Sequence, residues 1–174
     1  MIAAVDNTFL SLVLNDKAKP RPNPSTGQPV DHWKERVDAM IDGHSKNSDT
    51  IIIPTPCLAE MLTAIPSVSK AIELIEKSSS FEIAAFDARC AIELGLETKA
   101  AISKGDKRGG VQAGWQEVKF DRQIAIVAKV FGVSTFYTDD DSQSAFARQL
   151  GMDVKHTWDL PLPPSLAQPS FPLS

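Results

Sequence analysis

Short apolar runs recur along this chain and are separated by longer segments with helical spacing. The runs at 2–5 and 50–53 are continuous rather than alternating, which is typical of strands buried on both faces of a parallel sheet. The second run, Thr-Ile-Ile-Ile, is also strongly β-branched, which favours strand. Similar runs at 81–85 and 133–137 predict two more strands, and 152–154 is a candidate edge strand.

The segments between these runs carry apolar residues three and four positions apart, as amphipathic helices do. Thr55-Pro56 and Asp87 are favourable helix starts, and Gly132 is a favourable helix end. The predicted helices span 7–14, 30–46, 55–65, 67–75, 87–103, about 119–131 and 142–150. Because strands alternate with helices, the pattern predicts an α/β fold of three layers, α/β/α, around a central parallel sheet of four to five strands.

Length and composition are those of one soluble globular domain. The chain has 174 residues, of which 43% are hydrophobic and 23% charged. We expect a folded domain at 1–155 and a Pro-rich tail at 156–174, extended or disordered. No apolar run approaches the roughly 20 residues of a membrane helix, and no basic leader opens the chain, so we expect a cytoplasmic protein without membrane contact.

The net charge of −4 argues against a protein that coats nucleic acid, since such proteins are normally basic. It does not argue against a nuclease, because an acidic metal site supplies part of the negative charge. Basic residues are nevertheless concentrated between 99 and 122, where Lys119 and Arg122 are candidates for contact with a phosphate backbone. A solvated helix end and loop would show the same composition.

Acidic residues follow the predicted strands at corresponding places. Asp6 follows the first run, Glu60 lies early in the helix after the second, Asp121 opens the helix predicted near 119, and an Asp triplet at 139–141 follows the fourth. The carboxyl ends of parallel strands meet at one edge of the sheet. Carboxylates gathered there repel one another unless a cation lies between them, and hard cations such as Mg²⁺ prefer oxygen ligands. The pattern therefore predicts metal-assisted phosphate chemistry.

Four motifs in this order resemble those of PIN-domain nucleases. They are Asp-Asn-Thr at 6–8, Pro-Thr-Pro-Cys-Leu-Ala-Glu at 54–60, Lys-Phe-Asp-Arg-Gln-Ile-Ala at 119–125, and Tyr-Thr-Asp-Asp-Asp at 137–141. The resemblance covers residues 1–155. Each motif alone has little specificity, whereas their order and spacing together are fairly specific. The region 15–46 is longer than in compact members of the family, and Ser142 stands where many members carry another Asp.

The resemblance implies a PIN-like fold and a metal-dependent ribonuclease of the VapC-like kind, the toxin of a toxin–antitoxin pair. Its acidic quartet would be Asp6, Glu60, Asp121 and Asp140, holding Mg²⁺ or Mn²⁺ for cleavage of single-stranded or structured RNA. Asp140 is preferred within the triplet because it lies two places after Thr138.

The expected partners are an RNA substrate, a second copy of the chain in a homodimer, and a cognate antitoxin protein. Lys119 and Arg122 would contact the RNA backbone, and Trp115 is a candidate for stacking on a base or for an interior position. The apolar face with Trp33 and Met40 could serve a protein partner or could be ordinary core.

Other functions remain open at this stage. Asp6 and the triplet could simply cap helices, which would leave a PIN-like module that binds RNA or protein without catalysis. A receiver-type signalling domain also gathers acids at strand ends, with Asp87 as its phosphate acceptor, although it needs paired acids after the first strand. A dehalogenase-like phosphatase would need Asp where this chain has Thr8.

Overall fold

The computed structural model describes residues 1–112 and 114–167 and contains a five-stranded, all-parallel sheet. The strands are β1 (Ile2–Val5), β2 (Thr50–Pro54), β3 (Phe81–Ala84), β4 (Thr135–Tyr137) and β5 (Asp153–Lys155). Their order across the sheet is β3-β2-β1-β4-β5, and helices flank the sheet. The predicted α/β class with four to five parallel strands is confirmed.

The middle of the sheet is apolar and almost fully enclosed. Residues of β1 and β2 such as Ala4 and Ile51 have no exposed surface, which explains why these runs do not alternate. Val5 pairs with Tyr137, so β1 and β4 end side by side. The backbone N–H of Asp6 continues this pairing by donating to the carbonyl of Tyr137 at 3.2 Å. Residues that follow these two strands therefore lie next to each other.

The helices are α1 (Asn7–Leu14), α2 (Trp33–Lys46), α3 (Thr55–Ala64), α4 (Val68–Lys77), α5 (Ala88–Ser103), α6 (Trp115–Val130), α7 (Asp141–Gln149) and the short α8 (Pro164–Ala167). The largest difference from the sequence prediction is the start of α6, which begins at Trp115 after Gly114 rather than near 119. Asp121 consequently lies in the body of the helix and not at its beginning. Helix α2 begins at Trp33 because His32 has a left-handed backbone conformation.

Trp33 and Met40 on α2 pack partly buried against the main hydrophobic core. The apolar face of α2 therefore packs into the hydrophobic core, which was one of the two roles predicted for it.

The first part of the predicted tail packs against the domain. A short 3₁₀ turn at Thr157–Asp159 follows β5, and Leu160 is buried. The Thr157 N–H and hydroxyl both donate to the carboxylate of Asp139 at 2.7 Å. The boundary at residue 155 stays a prediction, and residues 168–174 lie outside the described part of the chain. Within the described ranges, the helices are all too short or too polar to cross a membrane.

Asp87 is the N-cap of α5, as predicted, and offers a test of the fold. Its carboxylate accepts from the backbone N–H groups of Arg89 and Cys90 at 2.9 and 3.1 Å. We expect Asp87→Ala to lower the free energy of unfolding by about 1 kcal/mol in urea denaturation, as loss of an N-cap commonly does. Ser67, which caps α4 through a longer bond of 3.4 Å, is the matched comparison. Ser67→Ala should cost less, and a larger cost for Ser67→Ala would contradict this ranking.

Candidate active site

One cavity of about 600 Å³ is lined by all four residues of the predicted acidic quartet, Asp6, Glu60, Asp121 and Asp140. They come from the end of β1, from α3, from α6 and from the start of α7. The topology thus brings together side chains as far apart as positions 6 and 140 in sequence. The lining also includes the apolar residues Ala59, Phe120 and Ile124.

Asp6 is the most deeply placed of the four, with 1% of its surface exposed. It caps α1: its Oδ1 accepts from the Phe9 N–H at 3.0 Å and from the Thr8 hydroxyl at 2.7 Å. Its Oδ2 accepts from the Thr138 hydroxyl at 2.5 Å. Asp6 therefore caps a helix and also lines the cavity. The capping bonds fix the direction in which its carboxylate points.

The members of the Asp triplet differ in what they contact. Asp140 caps α7 through its own Oδ1, which accepts from the Gln143 N–H at 2.8 Å, and it lines the cavity. Asp139 is buried and holds the 3₁₀ turn after β5. Asp141 is exposed and forms an ion pair with Arg21. Asp140 is thus the member of the triplet that lines the cavity, and its role as a metal ligand stays a prediction.

Two threonines tie Asp6 to the triplet. The Thr138 hydroxyl donates to Asp6 and accepts from the Asp140 N–H at 2.9 Å. The Thr8 hydroxyl donates to Asp6 and accepts from the Asp139 N–H at 2.8 Å. Each hydroxyl uses its donor and an acceptor position, so both are fixed in orientation. The turn after β4 is thereby locked to the end of β1.

Side-chain amides hold the other two acids. The Asn7 Nδ2 donates to the Glu60 carboxylate, and the Gln143 Nε2 donates to Asp121 Oδ1 at 3.1 Å. Sequence reasoning did not identify either amide as part of the site. Gln143 stands three places after a capping Asp, a spacing that favours a Gln at a helix start, but this spacing does not indicate a contact with Asp121. Asn7 offered no signal beyond its place next to Asp6.

The cavity is electrostatically unfavourable for its own carboxylates. Burial raises the pKa of Asp6 from 3.8 to about 7. Hydrogen bonds to its carboxylate oppose this rise, and the charge of Asp140 adds to it. Burial and then the charge of Asp140, with smaller effects of Glu117 and Glu60, raise the pKa of Asp121 to about 6. Perturbed carboxyl groups that share a cavity are characteristic of functional sites. A cation would relieve this repulsion.

The donor chemistry suits a hard divalent cation, because the cavity offers carboxylate oxygens. In addition, Asn7 Oδ1 and Gln143 Oε1 are buried without a hydrogen-bond partner among the described residues. Across residues 1–112 and 114–167, however, no three His, Cys, Asp or Glu side chains lie close enough together to hold an ion alone. Mg²⁺ is commonly bound by one or two carboxylates, with waters and substrate phosphates completing its shell. The cavity suits an ion bound by one or two carboxylates and completed by water and substrate, and not an ion bound entirely by protein side chains.

The two predicted substrate contacts lie in different surroundings. Arg122 is only 8% exposed and lies against the ring of Phe146, with 5.3 Å between its Cζ and the ring centroid. One step along a helix turns a side chain by about 100°, so Arg122 faces α7 and is not among the residues that line the cavity with Asp121. Its role as a substrate contact stays a prediction. Lys119 stays a candidate, with its Nζ 5.9 Å from the ring centroid of Trp115.

Trp115 is partly enclosed by its own neighbours. The Nζ of Lys107 lies 4.0 Å from its ring centroid, and the ring packs partly buried beside Val118 and Phe146. Lys107, in the loop after α5, therefore folds back onto α6. This contact favours an interior role for Trp115 over stacking on a base.

Comparison with known proteins shows a likeness in fold. No protein-family profile matches the chain, and no curated protein matches it in sequence. Among solved structures, a chain of VapBC2 from Rickettsia felis, in a complex bound to a DNA fragment from the promoter, superimposes with a TM-score of 0.58. The likeness covers 90% of this chain and 98% of that chain at 19% identity. At this identity the likeness shows a shared fold.

Proposed function

We propose that this protein is a metal-dependent endoribonuclease that hydrolyses phosphodiester bonds of RNA. The observation that carries the proposal is the cavity at the carboxyl end of the sheet, which is lined by four carboxylates from separate elements, two of them with raised pKa values. Such a cavity repels a phosphate backbone unless a cation is present. The VapBC2-like fold supports the same conclusion, because it is the fold that the four sequence motifs imply.

Each residue of the cavity would have its own role in metal binding and hydrolysis. One or two of the carboxylates of Asp6, Asp121 and Asp140 would hold Mg²⁺ or Mn²⁺, with water and substrate phosphate completing its shell, and Glu60 would orient the attacking water or assist a second ion. A bound divalent ion supplies a lowered pKa of water and charge neutralisation at the phosphate. Thr138 would fix the direction of the Asp6 carboxylate through its hydroxyl.

The substrate would approach from the open side of the cavity. Lys119, a half-buried cation two positions before Asp121 on α6, would contact the phosphate backbone. Because the cavity is also lined by the apolar residues Phe120 and Ile124, an unpaired base could lie against them. Single-stranded RNA would therefore be the preferred substrate.

The biological setting we propose is that of a toxin in a toxin–antitoxin pair, acting as a homodimer and controlled by an antitoxin protein. The similarity to a chain of VapBC2 motivates this part of the proposal. A receiver-type signalling function is less well supported, because Asp87 is a helix cap paired with Arg89 and does not line the acidic cavity.

The proposal is tested by incubating the purified chain with single-stranded RNA. We expect cleavage with Mg²⁺ or Mn²⁺ and none with EDTA, because the carboxylates need the ion to approach a phosphate. Single-stranded and double-stranded DNA of the same sequence are the comparison substrates. Absence of RNA cleavage with either ion, in protein shown to be folded, would leave a binding module as the better description.

A further inference from the structure

Gln143 connects two of the cavity acids that come from different helices. It is the third residue of α7, is 3% exposed and lines the cavity. Its backbone N–H donates to Asp140 Oδ1 at 2.8 Å. Its side-chain Nε2 donates to Asp121 Oδ1 at 3.1 Å and to the Asp121 carbonyl at 3.2 Å. One residue thus fixes the position of both carboxylates relative to each other.

The chemical type of this residue matters for a cation site. An amide can orient a carboxylate by donating a hydrogen bond while leaving its negative charge intact. Arg or Lys in the same place would neutralise Asp121, and Glu would add a third repelling charge beside Asp121 and Asp140. A neutral donor is therefore the kind of group that keeps the acids both oriented and available to a cation.

Packing alone does not explain a glutamine here. Its Oε1 is buried with no hydrogen-bond partner among the described residues. An unsatisfied buried carbonyl lowers the stability of a fold. A methionine, which has nearly the same shape, would fill the space without that cost. The amide is present at a cost in stability, and its remaining contacts are with one cavity acid, Asp121.

We propose that Gln143 is a positioning residue for the divalent cation site: its side-chain amide holds Asp121 in the orientation in which it binds the ion, beside Asp140, which the backbone N–H of the same residue holds. This inference rests on the proposed function. It adds a residue outside the acidic quartet, at a position where sequence reasoning assigned none.

The test compares two identical substitutions on the same helix. Gln143→Met removes the amide that contacts Asp121, whereas Gln149→Met removes an amide that donates to the Gly109 carbonyl, outside the acidic cavity. Mn²⁺ affinity is measured by titration calorimetry in the absence of RNA. We expect Gln143→Met to bind Mn²⁺ about 10- to 100-fold more weakly, as loss of a group that orients a metal ligand typically does, and Gln149→Met to match the unsubstituted protein.

A second measurement needs no variant. The side-chain amide resonances of Gln143 should shift when Mg²⁺ is added to the unsubstituted protein, and those of Gln149 should not. The inference would be overturned if Gln143→Met bound Mn²⁺ as tightly as the unsubstituted protein. It would also be overturned if saturating Mg²⁺ left the amide resonances of Gln143 unchanged. Either result would leave the proposed function standing. If the unsubstituted protein takes up neither ion, the cation site itself fails, and the proposed function fails with it.

Discussion

Replacing Asp121 by Asn should reduce RNA cleavage by at least about 100-fold and leave the fold intact. Loss of a group that merely orients a ligand costs about 10- to 100-fold, so loss of a ligand charge should cost no less. The fold should persist because Asn can still accept the hydrogen bond from the Gln143 Nε2 through its own Oδ1. The measurement is the initial rate of cleavage at saturating Mn²⁺, with thermal unfolding as the check on the fold.

Asp42→Asn is the matched control, because Asp42 is an exposed aspartate on α2 and does not line the cavity. It removes the same charge from the chain, so any general effect of net charge on RNA binding appears in both variants. A cleavage rate for Asp121→Asn equal to that of Asp42→Asn would mean that Asp121 is not part of the active site.

The sheet was predictable because its determinants are local. Continuous apolar runs at 2–5 and 50–53 form strands almost wherever they occur between helical segments, and Asp6 and Asp87 mark the helix starts that follow strands. The start of α6 was not predictable in the same way. Gly114 and the polar residues after it indicate a loop, whereas burial of Val118 against Phe146 extends the helix back to Trp115.

The part of the site that depends on strand order was predictable, and the part that depends on helix packing was not. Parallel strands bring the residues after β1 and β4 together, so Asp6 and Asp140 follow from the strand pattern. The contact between Gln143 on α7 and Asp121 on α6 depends on how two helices pack, and no spacing in the sequence reports it. The same holds for Arg122, whose burial follows from its side of α6 facing Phe146. Charge in a sequence does not show which side of a helix is covered.

Without metal, the protein should become more stable as the pH falls from 8 to 5. The folded-state pKa of Asp6 is raised from 3.8 to about 7, so within this interval the folded protein binds a proton that the unfolded chain does not. Stability therefore rises as pH falls below about 7, by on the order of 2–3 kcal/mol at pH 5 from this group. Asp121, with its pKa raised to about 6, acts in the same direction. Carboxyls with lowered pKa values, such as that of Asp87, oppose the trend only in more acidic solution.

Urea denaturation in EDTA at several pH values would measure this dependence, and Asp6→Asn should remove most of it. Asn caps a helix as well as Asp and carries no charge to desolvate, but its Nδ2 cannot accept from the Thr138 hydroxyl as Asp6 Oδ2 does. The loss of pH dependence is therefore the result to compare, and not the absolute stability at one pH.

Adding Mn²⁺ at pH 8 should stabilise the two proteins to different extents. The unsubstituted protein gains about 2.7 kcal/mol at a hundredfold excess of free ion over Kd, and the variant gains little because a ligand is missing. A metal-free stability that does not change between pH 8 and 5 would contradict the burial of an unpaired Asp6 carboxylate. An equal gain from Mn²⁺ in both proteins would place the ion elsewhere.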